Sequence, residues 1–434
     1  MKKSLFNSIG FILLAICTVT ALRGHIAWCA EDLRRPLRVA LYPYVPEKGD
    51  MYWKLEQAFE NRFADIDLRF LDLGANYYGG QLVDALTNHK VDVAEVDTVF
   101  LQDLADQKLI LELPAADLEP TGTFLPVAEA AAKINNRTFG VPHWVCGNFL
   151  FFRVDDPESD RFRQLWSLDG LERILGRLMA QEPALLIDLK GKSTLGEKYL
   201  DALLDLYQDP VEALQHVKPS APNAEILRSL ARVFALCPNG LCDSNKHHEF
   251  GQYYARQFAH RKARVMIGYS EQMHFVVDEF LHGVREDEPA IGVIQFSESD
   301  GYAPKGVLDV NVVPAPLANP PLTNAIKMLA WVDVLTVSAA SDGTTRQDAM
   351  NLIHFFNSVD FTRDLLVPEY GHAPRYLLPA RVSLYTDPKI TNAAPLYPHF
   401  FTIMKDAVSL TSPNLNEKLR DIGKQIDKAG FPVE

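Results

Sequence analysis

Cys146 sits in Phe139-Gly-Val-Pro-His-Trp-Val-Cys-Gly-Asn-Phe-Leu-Phe-Phe-Arg153, between a Pro-containing turn and an aromatic run. A cysteine in that setting is either a small core hydrophobe or a nucleophile. Gly147 and Asn148 follow at once, where a plain buried strand would continue with Val or Ile. The chain is therefore expected to bend there, or to bring its backbone close to something. A second stretch, Arg264 to Met273, carries an apolar strand into Gly-Tyr-Ser-Glu271. A partly desolvated carboxylate has its pKa raised toward working pH, which suits a general base. A surface glutamate on a strand-to-loop turn would read the same way. Asp333 stands inside the apolar run Trp331 to Val337. An aspartate there needs a partner or a function, since an unpaired buried charge is costly.

Three near-matches to known motifs fail on spacing. Gly268-Tyr-Ser-Glu-Gln lacks the final glycine of a serine nucleophile elbow. Gly191-Lys-Ser-Thr lacks the earlier glycine of a phosphate loop, because that position is Leu186. Ser193 or Thr194 then reads as a helix N-cap. His247-His248-Glu249 has no second ligand pair at usable spacing, so it reads as a polar loop and no metal is expected.

The elements that would position these residues alternate. Leu37 to Leu41 reads as a buried strand running out into Tyr42-Pro-Tyr44, and a helix comes next with Trp53, Leu55, Phe59 and Phe63 at roughly helical spacing. Asp67 to Leu73 is a second strand, Tyr78 to His89 a helix, and Val91 to Val96 a third strand ending at Asp97. This alternation belongs to open, mostly parallel α/β sheets, whose ligands bind beyond the carboxyl ends of the strands. Tyr42, Tyr44 and Asp97 occupy such ends. Further on, Arg161 to Ala180 reads as helical, Ala184 to Leu189 as a strand, and 296–324 as a Pro- and Gly-rich surface connection.

The chain of 434 residues opens with Lys2-Lys3 and an apolar run from Ile9 to Val19, the pattern of a secretory signal peptide over residues 1–30. No later segment is long and apolar enough to span a bilayer, and the mature protein is expected in the periplasm or outside the cell. The mature chain is too long for one ordinary core, so two lobes are expected. The formal charge of −13 gives a long-range field of the wrong sign for nucleic acid or an acidic membrane surface, but compatible with a cationic small molecule. Cys237-Pro-Asn-Gly-Leu-Cys242 closes a short loop that an oxidising compartment favours as a disulfide, leaving Cys146 as the odd thiol.

Together these stretches resemble the thiamine pyridinylases (thiaminase type I). The residues that carry the likeness are Leu37 to Pro46, Asp92 to Leu101, Phe139 to Phe152, Ile267 to Met273, Asp333 to Ser338 and Tyr376 to Arg381, in the family's order. The resemblance implies an α/β, two-lobed type II periplasmic-binding-protein-like fold with a ligand cleft between lobes. One lobe is expected over 31–145 and 332–380, the other over 146–331 and 381–434. It implies Cys146 as nucleophile and Glu271 as the group that activates it. It also implies a substrate-binding set of Tyr42, Tyr77 or Tyr78, Asp97, Tyr269 and Asp333. Two departures stand out: Trp331 replaces a tyrosine two residues before the last aspartate, and His143-Trp144 replaces smaller residues ahead of the cysteine.

The implied reaction is attack of the cysteine thiolate on the thiamine pyrimidine, loss of the thiazole, and transfer of the pyrimidinylmethyl group to an organic base or thiol. The implied partners are thiamine and that nucleophilic co-substrate, with no metal, no organic cofactor, no nucleic acid and no membrane, and a monomer. Cys146 and Asp333 are expected where the chain crosses between lobes, with Glu271 reaching the cleft from the second. The competing reading is an extracytoplasmic solute-binding protein for thiamine or a related pyrimidine, which needs the same fold and cleft but neither Cys146 nor Glu271.

Overall fold

The computed structural model describes residues 34–176, 184–237, 242–244, 248, 251–282, 310–321, 327–369 and 371–430. The leader-like stretch, His247 and Glu249 lie outside them.

Among the described residues, twelve strands form two principal sheets and one hairpin. The first sheet draws on β1 (Arg35–Ala40), β2 (Ile66–Phe70), β3 (Val93–Asp97), β6 (Val141–Cys146), β11 (Trp331–Val337) and β12 (Leu378–Pro379). Its order is β12-β6-β11-β3-β1-β2. β4 (Lys133–Ile134) and β5 (Arg137–Thr138) make the hairpin. The second sheet contains β7 (Phe149–Arg153), β8 (Leu185–Leu186), β9 (Val265–Gly268) and β10 (Val310–Pro314), in the order β10-β7-β9-β8. β1 pairs in parallel with β2 and β3, while β11 runs antiparallel between β3 and β6. β3 and β11 are buried at every position, as strands covered on both faces must be.

The chain passes from the first sheet to the second within two residues, Gly147 and Asn148, since β6 ends at Cys146 and β7 begins at Phe149. A Cβ on Gly147 would lie 2.5 Å from the Met328 side chain and 2.7 Å from the Leu329 carbonyl oxygen. The expected close approach at Gly147 is therefore to the returning segment that leads into β11. Both crossings lie side by side, with Trp331 paired to Cys146 in the β11–β6 register.

Helix α1 (Lys48–Arg62) buries Met51, Leu55 and Phe59, a stripe four residues apart. Trp53 lies off that stripe and is 59% exposed, so it is no part of the apolar face expected for it. The Tyr78-to-His89 helix is in two parts: a widened turn, Tyr77–Gln81, broken by Gly80 at φ 114°, and then α2 (Leu82–Thr87). α3 (Thr98–Asp106) starts directly from β3, capped by Asp97 Oδ1, which accepts from the Val99 N–H at 2.9 Å. The Arg161-to-Ala180 helix is likewise two, Ser159–Arg163 and Leu168–Gly176, and its remainder lies outside the described residues.

The Pro-rich connection also needs correction. Val310 and Val312 are buried on one face of β10, which pairs antiparallel with β7. Helix α4 (Lys192–Tyr207) begins from Gly191 at φ 81° with no side-chain cap. Ser193 and Thr194 are therefore not caps; the glycine sets the turn, and both hydroxyl residues line a cavity. α5 (Gln272–His282) comes after the Gly268-to-Glu271 turn, and α6 (Leu415–Ala429) packs along α4.

Candidate active site

A cavity of about 320 Å³ opens between the two sheets at the crossings. Tyr42, Tyr78, Asp97 and Cys146 line it from the first sheet. Glu197 and Lys198 come from α4, while Tyr269 and Glu271 come from the turn after β9. A narrower recess beside it shares Tyr42, Cys146 and Glu271 and adds Asp333 and Trp144. Six of the eight residues expected at the site thus line the cavity, and a seventh, Asp333, lines the recess beside it. The eighth, Tyr77, is fully buried and faces away from it. Its hydroxyl donates to the Glu95 carbonyl at 3.0 Å and accepts from the Asp97 N–H at 2.8 Å. Tyr77 locks the end of β3, and Tyr78 is the member of the pair that meets the cavity.

The tyrosines form a packed set. Tyr44 and Tyr78 stack with ring centroids 6.0 Å apart, Tyr78 stacks on Phe100, and Tyr42 meets Tyr77 edge to face at 5.4 Å. The Tyr78 hydroxyl donates to Asp97 Oδ2 at 2.7 Å. Tyr42 is held from behind: buried Glu95 accepts its backbone N–H at 2.9 Å and lies 2.5 Å from His143 Nδ1. His143, one of the two departures from the resemblance, is a core residue that fixes Glu95 and through it Tyr42.

Asp333 and Asp97 are directly opposite in the β11–β3 ladder, and the β11–β6 register shifts just after Asp333. Neighbouring like charges raise each other's pKa, and burial raises both further. Burial pushes Asp97 up to about 6 despite its bonds to Tyr78 and Val99. Asp333 is held well above the usual carboxylate range by burial and by Glu95, Asp97 and Glu271. Burial likewise lifts Glu271 to about 7, with the Ser270 hydroxyl 3.4 Å away.

Cys146 is the free cysteine among the described residues; Cys237 and Cys242 are joined in the expected disulfide. Burial holds the Cys146 thiol far above its ordinary range, and Glu271, Asp333, Asp97 and Glu197 add to the effect. At neutral pH it is therefore a thiol. Forming the thiolate needs a base within reach and a positive charge nearby.

Asn148, which the sequence marks only as a break in the strand, and three residues that it does not single out, Glu197, Lys198 and Asp201, complete the site. Asn148, next but one after Cys146, accepts from the Lys198 ammonium and donates to Asp201. Lys198 is buried, lies 4.8 Å from the centroid of the Tyr269 ring, and has its pKa lowered by desolvation. Glu197 accepts from the Tyr269 hydroxyl, and burial raises it to about 8. Burial raises Asp201 to about 7. Their signal was present: Glu197, Lys198, Asp201 and Asp205 recur on one face of α4. A charged helical face usually reads as solvated. Here α6 covers one side of α4, so the polar face turns inward. Among the described residues, no group of His, Cys, Asp and Glu is disposed to hold a metal ion.

Two sheets joined by adjacent crossings, with an acidic, tyrosine-lined cavity there, define a two-lobed type II periplasmic-binding-protein-like fold whose cleft carries a thiol. Comparison with known proteins narrows the class. Residues 147–285, which begin one position after Cys146 and include Glu271, match the Thiaminase-1 domain. Thiaminase-1 of Paenibacillus thiaminolyticus is 26% identical over 356 residues, covering 80% of this chain and 76% of that one. Clostridium botulinum thiaminase I, solved in complex with thiamin, superposes with a TM-score of 0.73 at 21% identity, over 91% of this chain and 99% of that one. Thiaminase I from Bacillus thiaminolyticus gives 0.69 at 22% identity, over 92% of this chain and 100% of that one. The maltose-bound MalE3 of T. maritima shares the fold at 0.63 and 16% identity, over 91% of this chain and 100% of that one.

Proposed function

We propose that this protein is a thiamine-cleaving transferase of the thiaminase I type. The observation that carries the reading is a single acidic, tyrosine-walled space holding a thiol and a carboxylate of raised pKa, in a chain similar to thiaminases along most of its length. A solute-binding protein needs neither Cys146 nor Glu271.

In this reading Asp97 and Asp333 supply the charge that holds the aminopyrimidine and its thiazolium, and Tyr42, Tyr78 and Tyr269 stack against the rings. Binding brings a positive charge beside Cys146, which offsets the carboxylates that keep the thiol protonated. Glu271 takes the thiol proton, and the thiolate adds to the pyrimidine ring. The ring electrons then expel the thiazole, which leaves neutral with the electron pair of the broken bond. An organic base or thiol next attacks the methylene carbon. Cys146 departs as thiolate and recovers its proton from Glu271. Lys198 stands near enough to Cys146 and Glu271 to favour the ionised form of each. The N-terminal pattern and the Cys237–Cys242 disulfide support an exported protein.

Mass spectrometry of the protein mixed with thiamine and pyridine tests the reading, run beside Cys146→Ser and Glu271→Gln. Thiazole and a pyrimidinyl-pyridinium product are expected. They should be absent with Cys146→Ser, and formed on the order of 100-fold more slowly with Glu271→Gln. Intact thiamine recovered bound and unchanged by the native protein would make it a binding protein instead.

A further inference from the structure

The proton count of the second half-reaction depends on the acceptor, and this inference rests on the thiaminase reading. Thiamine cation and Cys146 thiolate give a neutral thiazole and a neutral covalent adduct, with Glu271 left protonated. An acceptor without an acidic hydrogen, such as pyridine, attacks the methylene carbon and becomes a pyridinium. Cys146 leaves as thiolate and Glu271 returns its proton, so nothing is left over. A thiol or a primary ammonium brings one proton more, and it must lose that proton to become the nucleophile. Glu271 already holds one and has no place for it.

We propose that Glu197 takes this proton, and that the α4 wall of Ser193, Thr194 and Glu197 seats an acceptor that carries an acidic hydrogen. All three residues line the same cavity as Cys146 and Glu271. Glu197 lies four residues after Ser193 and three after Thr194, which puts them on one helical face. The Tyr269 hydroxyl holds Glu197 through Oε2. Among the described residues Oε1 accepts no hydrogen bond, which leaves a carboxylate oxygen for an acceptor's proton. Tyr269 lies two residues before Glu271, so one short turn ties both carboxylates to the same cavity. Glu197 is half-buried, so a proton taken there can pass on to solvent. Its raised pKa of about 8 lies close to that of an ordinary thiol, about 8.5, as efficient proton transfer requires. The step balances: the acceptor's S–H or N–H proton goes to Glu197, the new S–C or N–C bond forms, the Cys146–pyrimidine bond breaks, and the Cys146 thiolate is reprotonated by Glu271.

The test compares product formation with 2-mercaptoethanol and with pyridine in the wild-type protein and in Glu197→Gln. The thiol-to-pyridine rate ratio should fall by about 100-fold in the variant, the typical contribution of a general base. Glu197→Asp, which keeps the carboxylate but retracts it by one methylene, should lower the same ratio less, and it serves also if the glutamine variant does not fold. An unchanged ratio, or two rates that fall in equal proportion, overturns the inference while thiazole release by the wild type with pyridine leaves the parent reading intact. Absence of that release overturns both.

Discussion

Asp97 and Asp333 face each other across one ladder, in a space where burial already disfavours charge. The cost of that pairing is what a cationic ligand relieves, so their contribution belongs to the complex more than to the ligand-free protein. Asp333→Asn should weaken thiamine binding by about 10- to 100-fold, the worth of one charge-assisted contact of about 1.5–3 kcal/mol. Removing the same charge should also lower the Cys146 pKa, because Asp333 is among the groups that raise it. Alkylation of the ligand-free protein by iodoacetamide near pH 8 should therefore be faster in Asp333→Asn than in the wild type. Calorimetry and a timed alkylation series decide the two halves separately. Slower alkylation of the variant would mean that Asp333 does not act on the thiol through its charge.

At the scale of elements, the crossing after Cys146 is the tightest constraint. A methyl on Gly147 meets the Leu329 carbonyl oxygen, backbone of the neighbouring crossing, which cannot rotate away. Gly147→Ala should cost about 1–3 kcal/mol in chemical denaturation, the usual range for overpacking, and should lower activity by displacing Cys146. A variant of native stability would show that the crossings move apart freely. Much of this element was legible beforehand: Gly147-Asn148 broke a run that should have continued apolar, and β1, β3, β7, β9 and β11 track their apolar runs closely, whereas the Pro-containing turn expected ahead of Cys146 is the strand β6, paired on both sides by β11 and β12. The illegible part depended on distant neighbours. Trp53 looked like core because its partners on the helix are apolar, yet the stripe that packs runs through Met51. Glu197 and Lys198 carried no local sign of their role because the residues they meet, Tyr269 and Asn148, lie 72 and 50 residues away in the chain. Ser193 and Thr194 looked like caps because local pattern cannot show that Gly191 already makes the turn.

Across the whole molecule, the raised carboxyls make stability depend on pH with an unusual sign. Asp97, Asp201, Glu271 and Glu197 titrate at about 6, 7, 7 and 8 in the folded protein, with burial the main cause of each shift. In the unfolded chain they titrate near 4. Between those values the folded state binds more protons than the unfolded state, so stability falls as pH rises. The melting temperature of the ligand-free protein should drop from pH 6 to pH 8.5, and Asp201→Asn should flatten that slope. A melting temperature that climbs over the same interval would contradict the assignment.

The surplus of carboxylates around the cavity also governs which molecules arrive. A formal net charge of −13 gives an approaching cation an attractive field before any contact forms. If the proposed function holds, the free vitamin, which carries a single positive charge, is drawn in. A phosphorylated form would bring an anion to the same mouth and meet repulsion over the Debye length of about 8 Å at physiological salt. Discrimination between the two would then be made largely during the approach, with no pocket shaped to exclude the phosphate.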